Sequence, residues 1–427
     1  MLKDRYGYSL STQSSAARDA YVEAVDRFLA AEEGIQEGFE TALKHDPDFA
    51  LAHIGAARYH QLFANRDAIN LHLDKAKSAT GLSDWETTNV ELSALILTGK
   101  GGAALPKIRE HLLDYPRDAM LAQTCMGVFG LIGFSGQPGR EAEMLAFSSA
   151  LAPHYGEDWW YLGAHSFSQM EAGQHGRAER SIEASIAKRP TSANGAHYRS
   201  HLYYETGDTQ AGYDYLRDWM QGYSRVGFMH THLSWHTALW ALAQGDEATM
   251  WAVVEADVDP AHASGPALNI VTDTASILHR AELAGVEVSP QRWAAISDYA
   301  ANAFPKPGLG FADVHAALAH AMAGQGERLA RIISDARGPA ADVVRDLAEA
   351  FRALAKREWA NAEAQLAKAA RDHARIGGSR AQRDLIDYSL AATMLRQGRG
   401  GEARRLIALR RPIAGSSAAI AGLADLH

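Results

Sequence analysis

The sequence predicts an all-α fold, a solenoid of stacked antiparallel helical hairpins, from three observations. The first is a period. Gly173, Gly207, Gly245, Gly285, Gly324, Asn361 and Gly398 succeed one another at steps of 34, 38, 40, 39, 37 and 37 residues, the range in which helical-repeat proteins space their units. Glycine or asparagine at such marks lets a helix end through a left-handed turn. The second is a recurring junction in which a helix stops just ahead of Pro47, Pro116 or Pro190. Proline stops it by lacking the N–H and by disfavouring α geometry in the residue before it. The third is periodicity. Segments such as Ile182 to Lys188 and Ala360 to Ala370 place apolar residues and alanines three or four apart, and strand-like alternation bounded by turn residues is missing.

In chain order, residues 1–20 read as an irregular lead-in, with Ser11-Thr12-Gln13-Ser14-Ser15 offering N-caps for the first long helix. Residues 21–427 read as a single helical-repeat domain, looser over 21–150 and regular over 157–412. After each junction proline an acidic or hydroxyl residue is expected to cap the incoming helix. This is the repeat boundary of a tetratricopeptide-like superhelix, with about ten to twelve hairpins' worth of chain. Two longer breaks, Asp257 to Pro266 and Phe304 to Gly310, are expected to be elongated loops between repeats, because hairpins resume on both sides in step with the period.

Composition narrows the function classes. A chain of 427 residues is long for one compact core, and a solenoid escapes that limit because each hairpin contacts only its neighbours. A net charge of −9 argues against a nucleic-acid partner. The basic cluster at Arg404, Arg405, Arg410 and Arg411 is read as a solvated helix face. Cys125 is the sole cysteine, so no internal disulfide forms, and a reducing compartment fits; it is expected to be buried and inert. The opening residues hold no apolar signal core, and no uncharged apolar run nears the ~20 residues that cross a bilayer. The expectation is a cytoplasmic protein with no membrane partner. A homo-oligomer is also open to it.

Histidine carries the functional signal. The chain has 19, and several fall in register. His197 and His201 are four apart, which puts both on one helix face. His232 and His236 repeat the arrangement 35 residues later, one repeat along. Equivalent positions on successive first helices lie side by side, so four imidazoles are expected in one patch on the concave face. One repeat back lies His165; forward lie Asp273, Asp313 and His315. With Trp160, Trp235 and Tyr204 nearby, these residues are expected to form a His/Asp-lined belt. His53, His60, His111, His154, His175, His262, His279 and His373 have no such register and are read as packing or surface residues.

Three chemistries fit that belt. His197, His201, His232 and His236 supply nitrogen ligands for zinc or iron, although an isolated pair of histidines four apart is usually chance and no cofactor is required. Alternatively, His–Asp pairs set the tautomer and basicity of an imidazole for acid–base work. The bet for a hydrolase of amide-like or ester-like bonds is His232 or His236 as base, oriented by Asp273 or Asp313, with Arg383 holding an anionic group. The third is recognition of a small polar molecule with no bond broken. Against all three stands an adaptor that binds a peptide or partner protein in an open concave groove. No phosphate loop, dinucleotide fingerprint or nucleophile elbow is present in the sequence.

Further motifs point to a family. Leu10-Ser11-Thr12, Pro190-Thr191, His197-x-x-x-His201 and His232-x-x-Trp235-His236-x-Ala238-Leu239 resemble the tetratricopeptide repeat protein 38 family. So do Asp273-x-x-Ser276, Gly285-Val286, Arg292-Trp293, Phe311-x-Asp313-x-His315 and Gly377-Gly378-Ser379-x-Ala381-Gln382-Arg383-Asp384. The resemblance implies helical repeats without an assigned activity. It marks the same histidines and aspartates as characteristic and adds Gln382, Arg383 and Asp384 from a late helix that closes the groove. Two departures stand out. Tyr204 occupies a place where the family tends to carry glutamate, with Glu205 one step later and about 100° around the helix. Arg380 replaces a histidine, which favours an anionic ligand near Arg380 and Arg383.

Overall fold

The computed structural model describes residues 2–423; the first residue of the expected lead-in and the last four of the expected repeat domain lie outside them. Among the described residues the chain is all-α, with 22 α-helices from Ser15–Ala30 to Gly400–Arg410 and, in place of strands, one isolated bridge between Lys3 and Ser9. None of these helices is long and apolar enough to cross a membrane. The chain divides into two compact units. One comprises the residues up to 132 with 144–168 and 180–196; the other comprises 133–143, 169–179 and the chain from 197 onward.

The first unit pairs Ser15–Ala30 with Ile35–His45, Ala50–Leu62 with Arg66–Ser78, and Asp84–Leu97 with Gly101–Asp114. Its first helix starts inside the expected lead-in because the Ser14 side chain caps it by accepting the Ala17 N–H. Helices stop before the three junction prolines, at His45, Asp114 and Lys188. Asp118 caps the next helix by accepting from Leu121 N at 3.1 Å, and Ser192 accepts from Gly195 N at 3.0 Å. The first junction differs: Phe49 holds the cap position without a side-chain bond, so Asp48 does not serve. Cys125 is buried, outside any disulfide, at the end of Ala119–Cys125.

The second unit continues the pattern with five hairpins: His230–Ala243 with Glu247–Val253, Ala267–Leu283 with Pro290–Ala303, Gly310–Met322 with Gly326–Asp335, Ala341–Ala355 with Trp359–Ala369, and Arg380–Arg396 with Gly400–Arg410. The His230 helix packs on the Ala267 helix, that on the Gly310 helix, and that on the Ala341 helix; the Ala267 helix also touches the Arg380 helix. His279 Nε2 and Ser389 Oγ meet there at 2.7 Å. Residues His230 to Leu242, Asn269 to Ala281 and Phe311 to Ala321 are consequently buried without a break. A helix buried on every side has no amphipathic stripe, and its polar groups must find partners inside the protein. Those helices hold most of the belt residues. Both long breaks fall inside this unit, between consecutive hairpins.

Six of the seven periodic marks are left-handed turns: Gly173, Gly207, Gly245, Gly285, Gly324 and Gly398 have φ between 69° and 88°. The seventh is displaced. Asn361 lies inside the Trp359–Ala369 helix, and the left-handed residue is Arg357, at φ 59°. The buried faces decide this. Leu347 and Phe351 fix the end of one helix, and Ala362 and Leu366 fix the start of the next. The turn must fall between them, at a backbone cost of roughly 1–2 kcal/mol for a residue with a Cβ.

Candidate functional site

His197 and His201 project from Ala193–Thr206, and His232 and His236 from His230–Ala243. The four are 8, 1, 3 and 0% exposed, and one ring nitrogen of each lies within 4.8 Å of the others. His197 Nε2 is 2.8 Å from His201 Nε2 and 3.0 Å from His232 Nε2. The rings of His201 and His236 sit edge to face, with centroids 4.6 Å apart. The register argument thus places four side chains in one spot, and they are the residues that could hold a metal ion.

The proton arrangement inside the cluster is frustrated. His232 Nδ1 donates to Asp273 Oδ2 at 2.8 Å, and in the singly protonated tautomer this bond selects, Nε2 carries a bare lone pair. That lone pair faces His197 Nε2, and so does His201 Nε2. A neutral imidazole nitrogen either donates or accepts, so either one proton is shared between two acceptors or two lone pairs confront each other. His236 fares worse, since neither ring nitrogen has a hydrogen-bond partner among the described residues. A buried donor left unmatched costs about 1–3 kcal/mol. Burial, reinforced by the neighbouring imidazoles, holds His197, His201 and His236 well below the usual imidazole range.

The other residues expected in the belt have partners of their own. His165 belongs to the other compact unit, where its Nδ1 meets Ser148 Oγ at 2.9 Å and its ring stacks on Tyr161; Trp160 lies in that unit too. Asp313 accepts the Gly308 N–H at 2.9 Å and so ties down the preceding loop, and burial raises its carboxyl to about 6. His315 donates from Nδ1 to the Phe311 carbonyl at 2.8 Å, one turn back on its own helix, and burial lowers it to about 4. Trp235, fully buried, stacks on His232 as part of an apolar core. Gln382 spends its carbonyl oxygen on the Ser379 N–H in a capping box. That is a helix start.

Arg383 and Asp384 belong to a second constellation. With Arg380, Asp387, Glu141, Glu171, residues 370–374, Gly139, Arg410 and Arg411 they line a cavity of about 340 Å³ within the second unit. Tyr204 Oη donates to Asp384 Oδ2 at 2.8 Å, Arg280 Nη2 donates to Tyr204 Oη at 3.2 Å, and Arg411 Nη1 donates to Glu205 Oε2 at 2.7 Å. Arg383 pairs with Glu141 and donates to the Gly378 carbonyl. Arg383 and Arg411 are each 3% exposed, yet Arg383 Nε and Arg411 Nη2 have no hydrogen-bond partner among the described residues. Glu171 accepts from the Arg380 N–H. Burial, with Glu205 close by, lifts its carboxyl to about 8.

Sequence reasoning missed Glu171, Glu141 and Arg411. The reading of Arg410 and Arg411 as a solvated face is corrected here. Arg404 and Arg405 are exposed, but the chain leaves the helix at Arg411 and turns that side chain inward onto Glu205 and Asp384. The one available signal was Glu205 itself, an acid on a helix otherwise lined with histidine and aromatic residues.

No family model matches the chain. Among solved structures, the human IFIT1 dimer with PPP-AAAA is similar over 98% of this chain and 95% of that one, at 15% identity and a TM-score of 0.45. The structure of Naa15/Naa10 bound to HypK-THB is similar over 93% of this chain at 11% identity and a TM-score of 0.26. This chain spans 63% of that second neighbour.

Proposed function

We propose that the second unit binds a small anionic molecule, one bearing a carboxylate or phosphate, in the cavity at the start of the Arg380–Arg396 helix. The observation that carries this reading is the pair of buried guanidinium groups on its wall, Arg383 and Arg411, each with an unmatched nitrogen. A buried guanidinium nitrogen demands an acceptor, and an anionic oxygen is the strongest available. Charge supports the same reading. Five arginines and five carboxyl groups line the cavity, but with Glu171 lifted to about 8 it is mostly neutral at pH 7, so the arginines are in excess. A volume of about 340 Å³ suits a metabolite-sized ligand.

None of the four clustered histidines lines that cavity; His373 does, with its imidazole pushed down to about 3 by burial, and recognition rather than hydrolysis is the function this reading assigns to it. Continuous burial of the inner helices also favours a small ligand over a peptide laid along an open groove. Membership of the tetratricopeptide repeat protein 38 family and a cytoplasmic location, where Cys125 stays reduced, belong to the same reading. Calorimetric titration with inorganic phosphate and with succinate tests it. At least one probe should bind, Arg383→Gln should abolish the heat, and Arg410→Gln, at a partly exposed wall position, should weaken it. A folded chain that binds neither probe, or binds equally well after both substitutions, contradicts the assignment.

A further inference from the structure

We propose that His197, His201, His232 and His236 form a closed four-imidazole site for one divalent transition-metal ion of the zinc class, which staples the Ala193–Thr206 helix to the His230–Ala243 helix. The site is independent of the anion cavity: none of the four histidines lines that cavity.

Geometry is the first argument. Zinc binds imidazole nitrogen at about 2.0–2.1 Å in a tetrahedron, so neighbouring donors stand about 3.3 Å apart. The nitrogen separations of 2.8 and 3.0 Å about His197 Nε2 fall inside that edge, and all four donors lie within 4.8 Å of one another, wider than the bound edge and so in need of closing. Small ring rotations bring all four onto one centre. Two pairs of histidines at i and i+4, one repeat apart, supply the donors from two directions.

Proton logic is the second argument. A cation at the centre turns the confronting lone pairs of His197, His201 and His232 into ligands, and it gives His236 the partner it lacks at 0% exposure. Asp273 is the third. Metal-bound histidine commonly donates its other nitrogen to a carboxylate, which fixes the tautomer and raises ligand basicity. The His232 Nδ1 to Asp273 Oδ2 bond of 2.8 Å has that form, and the buried carboxylate offsets part of the ion's charge.

The donor set also says what kind of site this is. Four protein ligands fill a tetrahedron, and their burial excludes water, so the ion is structural; catalytic zinc keeps one position open. Zinc, without a geometric preference of its own, accepts the tetrahedron that the helices impose, whereas copper(II) favours a tetragonal field. The all-imidazole set and the lack of thiolate or carboxylate ligands suit zinc, cobalt(II) or iron(II) over magnesium or calcium.

The test is metal analysis of the full chain grown with zinc and desalted. One zinc per chain is expected. Replacing that ion with cobalt(II) should give the strong visible absorption of a tetrahedral centre. His236→Gln with His197→Asn should lose both signals while far-UV circular dichroism stays helical. Asp273→Asn should keep the fold and weaken zinc binding about 10–100-fold. Folded wild-type protein that takes up neither zinc nor cobalt(II) overturns the proposal, as does full metal content in the double variant. If the double variant fails to fold, the aspartate decides: unchanged zinc affinity in Asp273→Asn overturns it. Phosphate binding by the metal-stripped chain reports on the cavity separately.

Discussion

Replacing Glu171 by glutamine should stabilise the protein at neutral pH, although it removes a buried acidic group. Glu171 is raised from 4.5 to about 8, chiefly by burial and next by the neighbouring Glu205, against the opposing pull of Arg140. The sign follows from proton counts. Above pH 4.5 the unfolded chain gives up this proton, while the folded chain holds it until about pH 8. The group's contribution to stability is therefore complete below pH 4.5 and is lost progressively as pH rises to about 8. Each pH unit in that window costs about 1.4 kcal/mol, so about 3 kcal/mol is gone by pH 7. Glutamine is neutral throughout and can still accept the Arg380 N–H through its carbonyl oxygen. The gap between variant and wild type should be near zero at about pH 4.5, reach about 3 kcal/mol at pH 7 and level off above pH 8. Urea denaturation of both chains across this range measures it. A variant less stable than wild type at pH 7 would show that Glu171 is ionised there and held by its arginines, which would also remove the arginine excess from the cavity.

Other outcomes follow from the same packing. Gly378 has φ 74°, and a Cβ there would stand 2.3 Å from Phe311 Cε2; Gly378→Ala should cost about 2–4 kcal/mol from left-handed strain plus overpacking. Gly102, in a helix with open space around it, is the control: alanine there should stabilise by about 0.5–1 kcal/mol in the same thermal melts. Trp235→Ala, at a fully buried ring stacked on His232, should cost about 3–5 kcal/mol, read by denaturant midpoint. Zinc at about a hundred times its dissociation constant should stabilise the wild-type chain by about 2.7 kcal/mol, and a chelator should reverse the gain; a melting temperature indifferent to both contradicts the metal site.

Several of these features were legible in the residues alone. The helical period and the proline junctions gave the all-α hairpin architecture because glycine turns and proline stops act locally. The convergence of four imidazoles was also legible, because a spacing of four combined with a repeat of 35 residues constrains both the helix face and the neighbouring helix. What failed did so for tertiary reasons. Asn361 looked like a turn residue, but buried leucine and phenylalanine faces set the helix ends and forced Arg357 into the left-handed position. Arg411 read as solvated because a run of arginines says nothing of which one meets a buried acid. Gln382, expected to meet a ligand, also caps its own helix from three residues after Ser379, a pairing legible in the sequence, while its buried Nε2 has no hydrogen-bond partner among the described residues. Glu171 could not have been found, since its importance comes from a raised carboxyl beside Glu205 and Arg383, each distant in the chain.

Crystallography with anomalous data collected at the zinc edge tests the central claim most directly. The account predicts a single strong peak about 2.0–2.1 Å from one nitrogen of each of His197, His201, His232 and His236, with Asp273 still bonded to His232. A zinc-grown crystal whose four imidazoles merely hydrogen-bond to one another, with no peak between them, would contradict it.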